Sequence, residues 1–486
     1  MILFKDALIH SPPRKSLRAD LLVEGSRIAK IGRVESSADA GTYENKVLLP
    51  GYIDSHIHLL EYGYSLIFLD LREVRSREEF FTSLSSYLST ARELGFLYAF
   101  NLAPERLKET DWEPLTSDLD KISKDVPILI RREDGHSVYL NKAARRWLLY
   151  DQPIEHANDH LTGRFNELAV ERMQERIPRE VRIEAFIKAG ADLLAKGVTS
   201  AAVMIGDEAS LGDVEVIGSV GERLGIEAAL FPQNRDVGKI CDLELTRLGG
   251  CILIDGSFGS HTAALREPYT DAPGNNGILY FSQRELNALV KCTEEAGLQM
   301  TFHAIGDEAI EQLLTAYEKT IDPANSRRHR IEHAELMPPD LIERAAKLNL
   351  ILGVQPMFEI AWGQKEGMYA ERLGERRRWT NPYRSILDAG IRIAAGSDAP
   401  ITLPDPAEGI TAFLNHPIAE ERITVEEAVA AYTSEGAYAV HLEERIGSLR
   451  EGLDADILVF DRDPFVSNDF HPIAVIKSGK LVAGSL

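Results

Sequence analysis

The sequence predicts an α/β protein: a (β/α)8, TIM-like barrel, a small β domain built from both termini, and an α/β insertion after the first barrel strand. Three observations carry this. The middle of the chain alternates short β-branched runs with amphipathic helical stretches, as a parallel sheet requires. Both ends read as strands and hairpins. One long stretch interrupts the alternation.

The N-terminal part holds Ala19–Gly32, two apolar runs joined by Glu24-Gly25-Ser26, a hairpin pattern. The C-terminal part holds the run Ala455–Phe460 and a second hairpin, Ala474–Ala483, around Ser478-Gly479. Neither end can bury a core alone, so residues 1–50 and 446–486 are expected to pair into one domain; the other reading is two separate decorations. Within 51–445 the strand-like runs are Gly51–His58, Val198–Met204, Ile226–Phe231, Cys251–Asp255, Gln299–His303, Arg330–His333, Leu350–Gln355 and Arg392–Asp398. Helical patterns between them include Ile183–Lys196, Glu285–Ala296, Glu308–Lys319, Asp340–Leu348 and Val425–Tyr432. Eight such units fit a barrel. A doubly wound sheet is the alternative, but no Gly-x-Gly-x-x-Gly follows the first strand. Residues 60–180 carry their own strands (Phe96–Leu102, Val126–Arg132) and helices (Glu78–Leu94, Asn141–Trp147), so they read as a folded insertion on a βα loop.

Composition narrows the function classes. The chain has 486 residues, 44% of them apolar, and a net charge of −22. That charge argues against nucleic-acid or anionic-lipid binding over the whole surface. Three cysteines (Cys241, Cys251, Cys292) are too few for a disulfide framework and favour a reducing compartment. The first residues carry charge where a signal peptide needs an apolar run, and no window approaches the ~20 apolar residues of a membrane span. A soluble cytoplasmic protein acting on a small molecule is the resulting expectation; the sequence leaves the oligomeric state open, a homodimer included.

The strongest chemical signal is Asp54-Ser-His-Ile-His58. Alternation along a strand points His56 and His58 to one face, so two imidazoles converge at a strand's C-terminal end. Three more polar residues close apolar strands: His303, His333 and Asp398. Singly, each reads equally well as a hydrogen-bonded histidine or a helix-capping aspartate. Together they set four imidazoles and a carboxylate at the strand ends of one barrel, a donor set for zinc, iron or manganese.

These residues resemble the amidohydrolase superfamily, most closely the branch that includes the N-substituted formamide deformylases. Further markers are Arg132-Glu-Asp-Gly-His136, Asp255-Gly-Ser-Phe-Gly-Ser-His-Thr-Ala-Ala-Leu265, His303-Ala-Ile-Gly-Asp307, Arg330-Ile-Glu-His-Ala334, Val354-Gln-Pro356, Gly396-Ser-Asp-Ala-Pro400 and the closing Ile446–Leu458. The resemblance implies a distorted barrel, a β-sandwich from both termini, and one or two divalent metals, zinc first, that activate a hydroxide. It implies that His56, His58 and Asp398 hold one metal and that His303 and His333 hold the other. Where the branch has a carboxylated lysine bridging the metals, four residues before the aspartate of Asp-Gly-Ser, this chain has Cys251. A thiolate bridge, as in the D-aminoacylases of the superfamily, and a buried core thiol are both open, since cysteine is much shorter than carboxylated lysine. A second departure is His261, where the branch commonly has arginine.

In such a site Asp398 would serve as general base and then acid, passing a proton from water to a leaving amine. Arg132, Asp134 and His136, in a glycine-bearing turn of the insertion, are expected to contact substrate or to brace the loop among themselves. Glu332, beside His333, reads either as orienting a ligand histidine or as solvated; alternation sends it to the other face, which favours a structural role. The implied activity is hydrolysis of a non-peptide C–N bond in an amide, N-formyl or N-acyl compound. Alternatives are a lactone or other ester, ring deamination, or a non-catalytic barrel that has lost its bridging lysine.

Overall fold

The computed structural model describes residues 1–34, 40–108, 112–133, 135, 137–152, 159–208 and 210–486. The chain divides into two compact units, Met1–Leu59 with Gly190–Leu486, and Leu60–Ala189.

In the larger unit, eight strands run parallel: β1 (Tyr52–Ile57), β2 (Val198–Ile205), β3 (Glu227–Pro232), β4 (Arg247–Leu253), β5 (Gln299–Ala304), β6 (Arg330–His333), β7 (Ile351–Val354) and β8 (Arg392–Ala395). β1 to β3 form one ladder and β4 to β8 another. β3 lies beside β4, and β8 beside β1. The last junction is stitched by Asp398 N–H donating to His56 O at 2.8 Å and His58 N–H donating to Ala399 O at 3.1 Å. The ring is thereby closed. Helices on the chain between strands, such as Gln283–Glu295, Asp307–Glu318 and Pro339–Lys347, cover it. Ser282 and Glu285 cap the first of these reciprocally, which fixes where it begins. Strands covered on both faces need continuous apolar runs, and Val198–Ile205 is buried at every position.

Both chain ends enter one eight-stranded sheet. Val47–Pro50 is its hinge: it runs parallel to Ile2–Ser11 and antiparallel to Ile457–Phe460. The strands of both ends join through hydrogen bonds because Val47–Pro50 pairs on both of its edges. Phe4, Leu21, Val23, Leu48, Ile457 and Ile476 form its core.

The unit Leu60–Ala189 is built on a five-stranded sheet. Its centre holds Leu97–Leu102 and Ile128–Arg132 in parallel, with Ser137–Leu140 antiparallel to the latter. Helix Arg77–Leu94 starts at the Ser76 cap, stops at Gly95, and packs Phe80 and Leu84 against Leu97, Ala99 and Ile130. Among the described residues no helix is long and apolar enough to cross a membrane.

Candidate metal centre

The C-terminal ends of β1, β4, β5, β6 and β8 bring six side chains together. Ligand-type atoms of His56, His58, Cys251 and Asp398 lie within 4.8 Å of one another, and so do those of Cys251, His303 and His333. Asp398 Oδ1 is 3.3 Å from Nε2 of both His56 and His58. The His303 and His333 ring centres are 4.4 Å apart. His56 and His58 share a face because the strand alternates. His333 and Asp398 reach the same place differently: their backbone φ angles are 68° and 54°, so each turns inward just as its strand ends.

Cys251 belongs to both groups. Its Sγ is 3.2 Å from His58 Nε2 and 3.4 Å from His56 Nε2. The short side chain reaches the centre because the backbone moves in. Gly249 and Gly250 precede it with φ of 107° and 98°, and the ladder to β5 shifts register between Gly249 and Leu253. A Cβ on Gly249 would collide with the carbonyl oxygen of Thr301. A bulge of this kind re-aims the following side chain. The strand expected at Cys251–Asp255 accordingly lies at Arg247–Leu253, with Asp255 beyond it.

A second layer holds these groups in place. Glu332 corrects the reading from alternation. It is fully buried, and its Oε2 accepts from His56 Nδ1 at 2.7 Å. The left-handed turn at His333 takes that side chain out of the strand's alternation, so Glu332 and His333 both serve the centre. Arg330 and Thr301 bind the other side of the Glu332 carboxylate. Gln355 Oε1 accepts from His333 Nδ1 at 2.8 Å, and His303 Nε2 donates to Gly256 O at 3.0 Å. Asp54 accepts from Ser397 Oγ and from His56 N–H, tying β1 to the segment that carries Asp398. Asp255 accepts the N–H groups of Ala264, Ile305 and Gly306 and braces the loops after β4 and β5. Sequence reasoning gives no role to Gln355, Asp54 or Asp255; the available signal is a polar residue inside or closing an otherwise apolar strand.

The electrostatics are those of a site made for a cation. Burial pushes the Cys251 thiol up, but the rings of His58 and His56 outweigh it and hold the thiol well below its usual range. Burial likewise opposes ionisation of Asp398, and His56 and His58 overcome it. His58 is raised to about 10 against its burial, chiefly by Cys251 and Asp398. The arrangement fits a divalent metal on two further counts. His333 Nε2 and Asp398 Oδ1 are buried without a hydrogen-bond partner and both belong to the cluster. Imidazole, thiolate and carboxylate donors together suit zinc, and the thiolate disfavours magnesium or calcium.

The profile of the amidohydrolase family matches residues 44–483. The chain belongs to the amidohydrolase family. It is 31% identical to YtcJ of Bacillus subtilis, named as an amidohydrolase, over 86% of this chain and 84% of that one. It is 25% identical to the N-substituted formamide deformylase of Arthrobacter pascens, over 93% and 91% of the two chains. Its fold superposes with a TM-score of 0.80 on an uncharacterized metal-dependent hydrolase from Pyrococcus horikoshii, 26% identical, covering 99% of both chains. This amidohydrolase therefore has the TIM-type α/β fold of its family and is a metal-dependent hydrolase.

Arg132 ends the strand Ile128–Arg132 in the unit Leu60–Ala189, ion-paired with Glu105 and Glu113 and 3.3 Å from Tyr139 Oη. Asp134 and His136 fall outside the described residues. His261 pairs with Asp271 at 3.0 Å.

Proposed function

We propose that this amidohydrolase cleaves a non-peptide C–N bond in a small amide, N-formyl or N-acyl compound. His56, His58, Asp398 and Cys251 would hold one divalent metal, and Cys251, His303 and His333 a second. The observation that carries the reading is the membership of Cys251 in both donor groups. That shared membership supports reading the Cys251 thiolate as a bridge between two metals in place of the lysine.

When bound, the metals supply Lewis acidity that polarises the substrate carbonyl and acidifies water. The rest is done by the chain. Asp398, kept ionised by His56 and His58, takes a proton from the attacking water and delivers it to the leaving nitrogen, so that the new C–O bond and the broken C–N bond balance. Glu332 and Gln355 fix the tautomers of His56 and His333, which keeps their Nε2 lone pairs directed inward.

The test is elemental analysis of protein purified without chelators, paired with a panel of N-formyl amines, N-acetyl amines, esters and lactones. The expected result is two zinc ions per chain, turnover of amides, and one zinc per chain in Cys251→Ser. One metal in the wild type would overturn the bridging role of Cys251. Turnover of esters or lactones only would overturn the C–N assignment. No binding of zinc, manganese or iron would overturn the whole reading.

A further inference from the structure

A second set of reactive groups lies in the terminal sheet. His10, in the strand Ile2–Ser11, is only 4% exposed. Its Nε2 lies 3.0 Å from Asp463 Oδ1 and its Nδ1 lies 2.6 Å from Ser16 Oγ. Its ring is stacked on Phe465, centroids 4.0 Å apart and planes 10° from parallel. Ser16 itself is exposed. We propose that Ser16, His10 and Asp463 form a second nucleophilic site, separate from the metal centre, in which Ser16 accepts the acyl or phosphoryl group of a small activated ester.

The geometry selects the tautomer that a general base needs. A carboxylate oxygen can only accept, so Nε2 carries the proton and donates it to Asp463. Nδ1 then holds the lone pair and faces the Ser16 hydroxyl. Asp463 is itself held, since the same Oδ1 accepts the N–H of Phe465 at 3.0 Å as the cap of the helix Pro464–Ser467. The cap and the stacked Phe465 ring fix the imidazole from two sides. Ser16 is delivered by a bulge. The register pairs Ile9 with Leu17 and Ser11 with Arg14, so His10 alone stands opposite both Lys15 and Ser16. Two residues facing one turn a side chain that would otherwise follow the pleat.

In the reaction, Ser16 Oγ forms a bond to the carbonyl carbon while its proton passes to His10 Nδ1. The ester C–O bond breaks, and the alcohol leaves with that proton. Water then releases the acid by the same steps in reverse. Ser16 is open to solvent rather than enclosed, so it lacks the dry oxyanion setting in which one donor is worth about 10²–10³ in rate. Stoichiometric capture of unhindered, activated reagents is therefore the expected behaviour, with slow turnover.

The probe is an alkyl fluorophosphonate applied to the zinc-loaded enzyme: the Oγ–P bond forms, the P–F bond breaks, fluoride leaves and His10 takes the proton. Peptide mass spectrometry locates the adduct, with the exposed Ser26, in the hairpin turn between Arg14–Glu24 and Arg27–Gly32, as internal reference. Ser16 should label at least ~10-fold faster than Ser26, and His10→Gln should remove that advantage, since a positioned base contributes about 10²–10⁴. Asp463→Asn should slow labelling with the melting temperature unchanged, which keeps the test decisive if His10→Gln fails to fold. Ser16→Ala should leave metal-dependent hydrolysis unaltered. Equal labelling of Ser16 and Ser26, or an unchanged Ser16 rate in a folded His10→Gln or Asp463→Asn protein, overturns the proposal.

Discussion

Glu332 Oε2 and His56 Nδ1 lie 2.7 Å apart with neither side chain exposed to solvent. The carboxylate is also 2.8 Å from Arg330 and 2.6 Å from Thr301 Oγ1. A buried charge held this fully is there to orient its partner, since burial alone repays little for an ion pair. Glu332→Gln should therefore weaken metal binding at the His56 site about 10–100-fold, measured by chelator competition. It should also destabilise the fold by about 3–5 kcal/mol, because Arg330 keeps its charge in the barrel interior without a counter-charge. Wild-type affinity in the variant would show that His56 needs no such support.

The same carboxylate gives a pH dependence of defined sign. Arg330 and His56 overcome its burial and lower it from 4.5 to about 2. A depressed carboxylate contributes stability above its unfolded value and loses it as pH falls toward its folded value. The contribution is on the order of 3 kcal/mol, is complete above about pH 5 and disappears between about pH 4.5 and 2. Denaturant unfolding at a series of pH values should show this slope in the wild type and a shallower one in Glu332→Gln. Identical slopes would remove Glu332 from the acid response.

Asp398→Asn should reduce kcat by about 10²–10⁴, the usual worth of a positioned base, while leaving the melting temperature near that of the wild type. Metal content must be measured on the same sample. A loss of turnover with the metal retained identifies a proton-transfer role, whereas a parallel loss of both identifies a ligand role alone.

The parts of this protein that were legible in the sequence are those set by local periodicity. Alternation places His56 and His58 on one face. His303, His333 and Asp398 stand out because each closes an apolar run. What escaped depends on backbone departures that periodicity cannot express. Alternation sends Glu332 to the far face only if it runs on through His333, where a φ of 68° breaks it. The side chain of Cys251 is short for a bridge, yet the two glycines before it move the backbone instead. Gly249-Gly250 inside a strand was the available sign of a bulge. The two strand-rich ends predict their own pairing; what no local pattern encodes is that Val47–Pro50 makes the join, to residues more than four hundred positions away.

That bulge leads to the last prediction, which compares two neighbouring glycines. A Cβ at Gly249 would strike the Thr301 carbonyl, a backbone atom of β5 with nowhere to go. A Cβ at Gly250 would strike Met204 Sδ, the movable part of a flexible side chain. Both positions have φ near +100°, so alanine is strained at either, by about 1–3 kcal/mol. Gly249→Ala must additionally push β4 away from β5 and carry Cys251 with it. It should lose more stability than Gly250→Ala and should bind fewer metals per chain, whereas Gly250→Ala should keep its metals. Thermal melts and elemental analysis of the two variants check the order. Equal metal content in both would mean that Cys251 does not owe its position to the bulge.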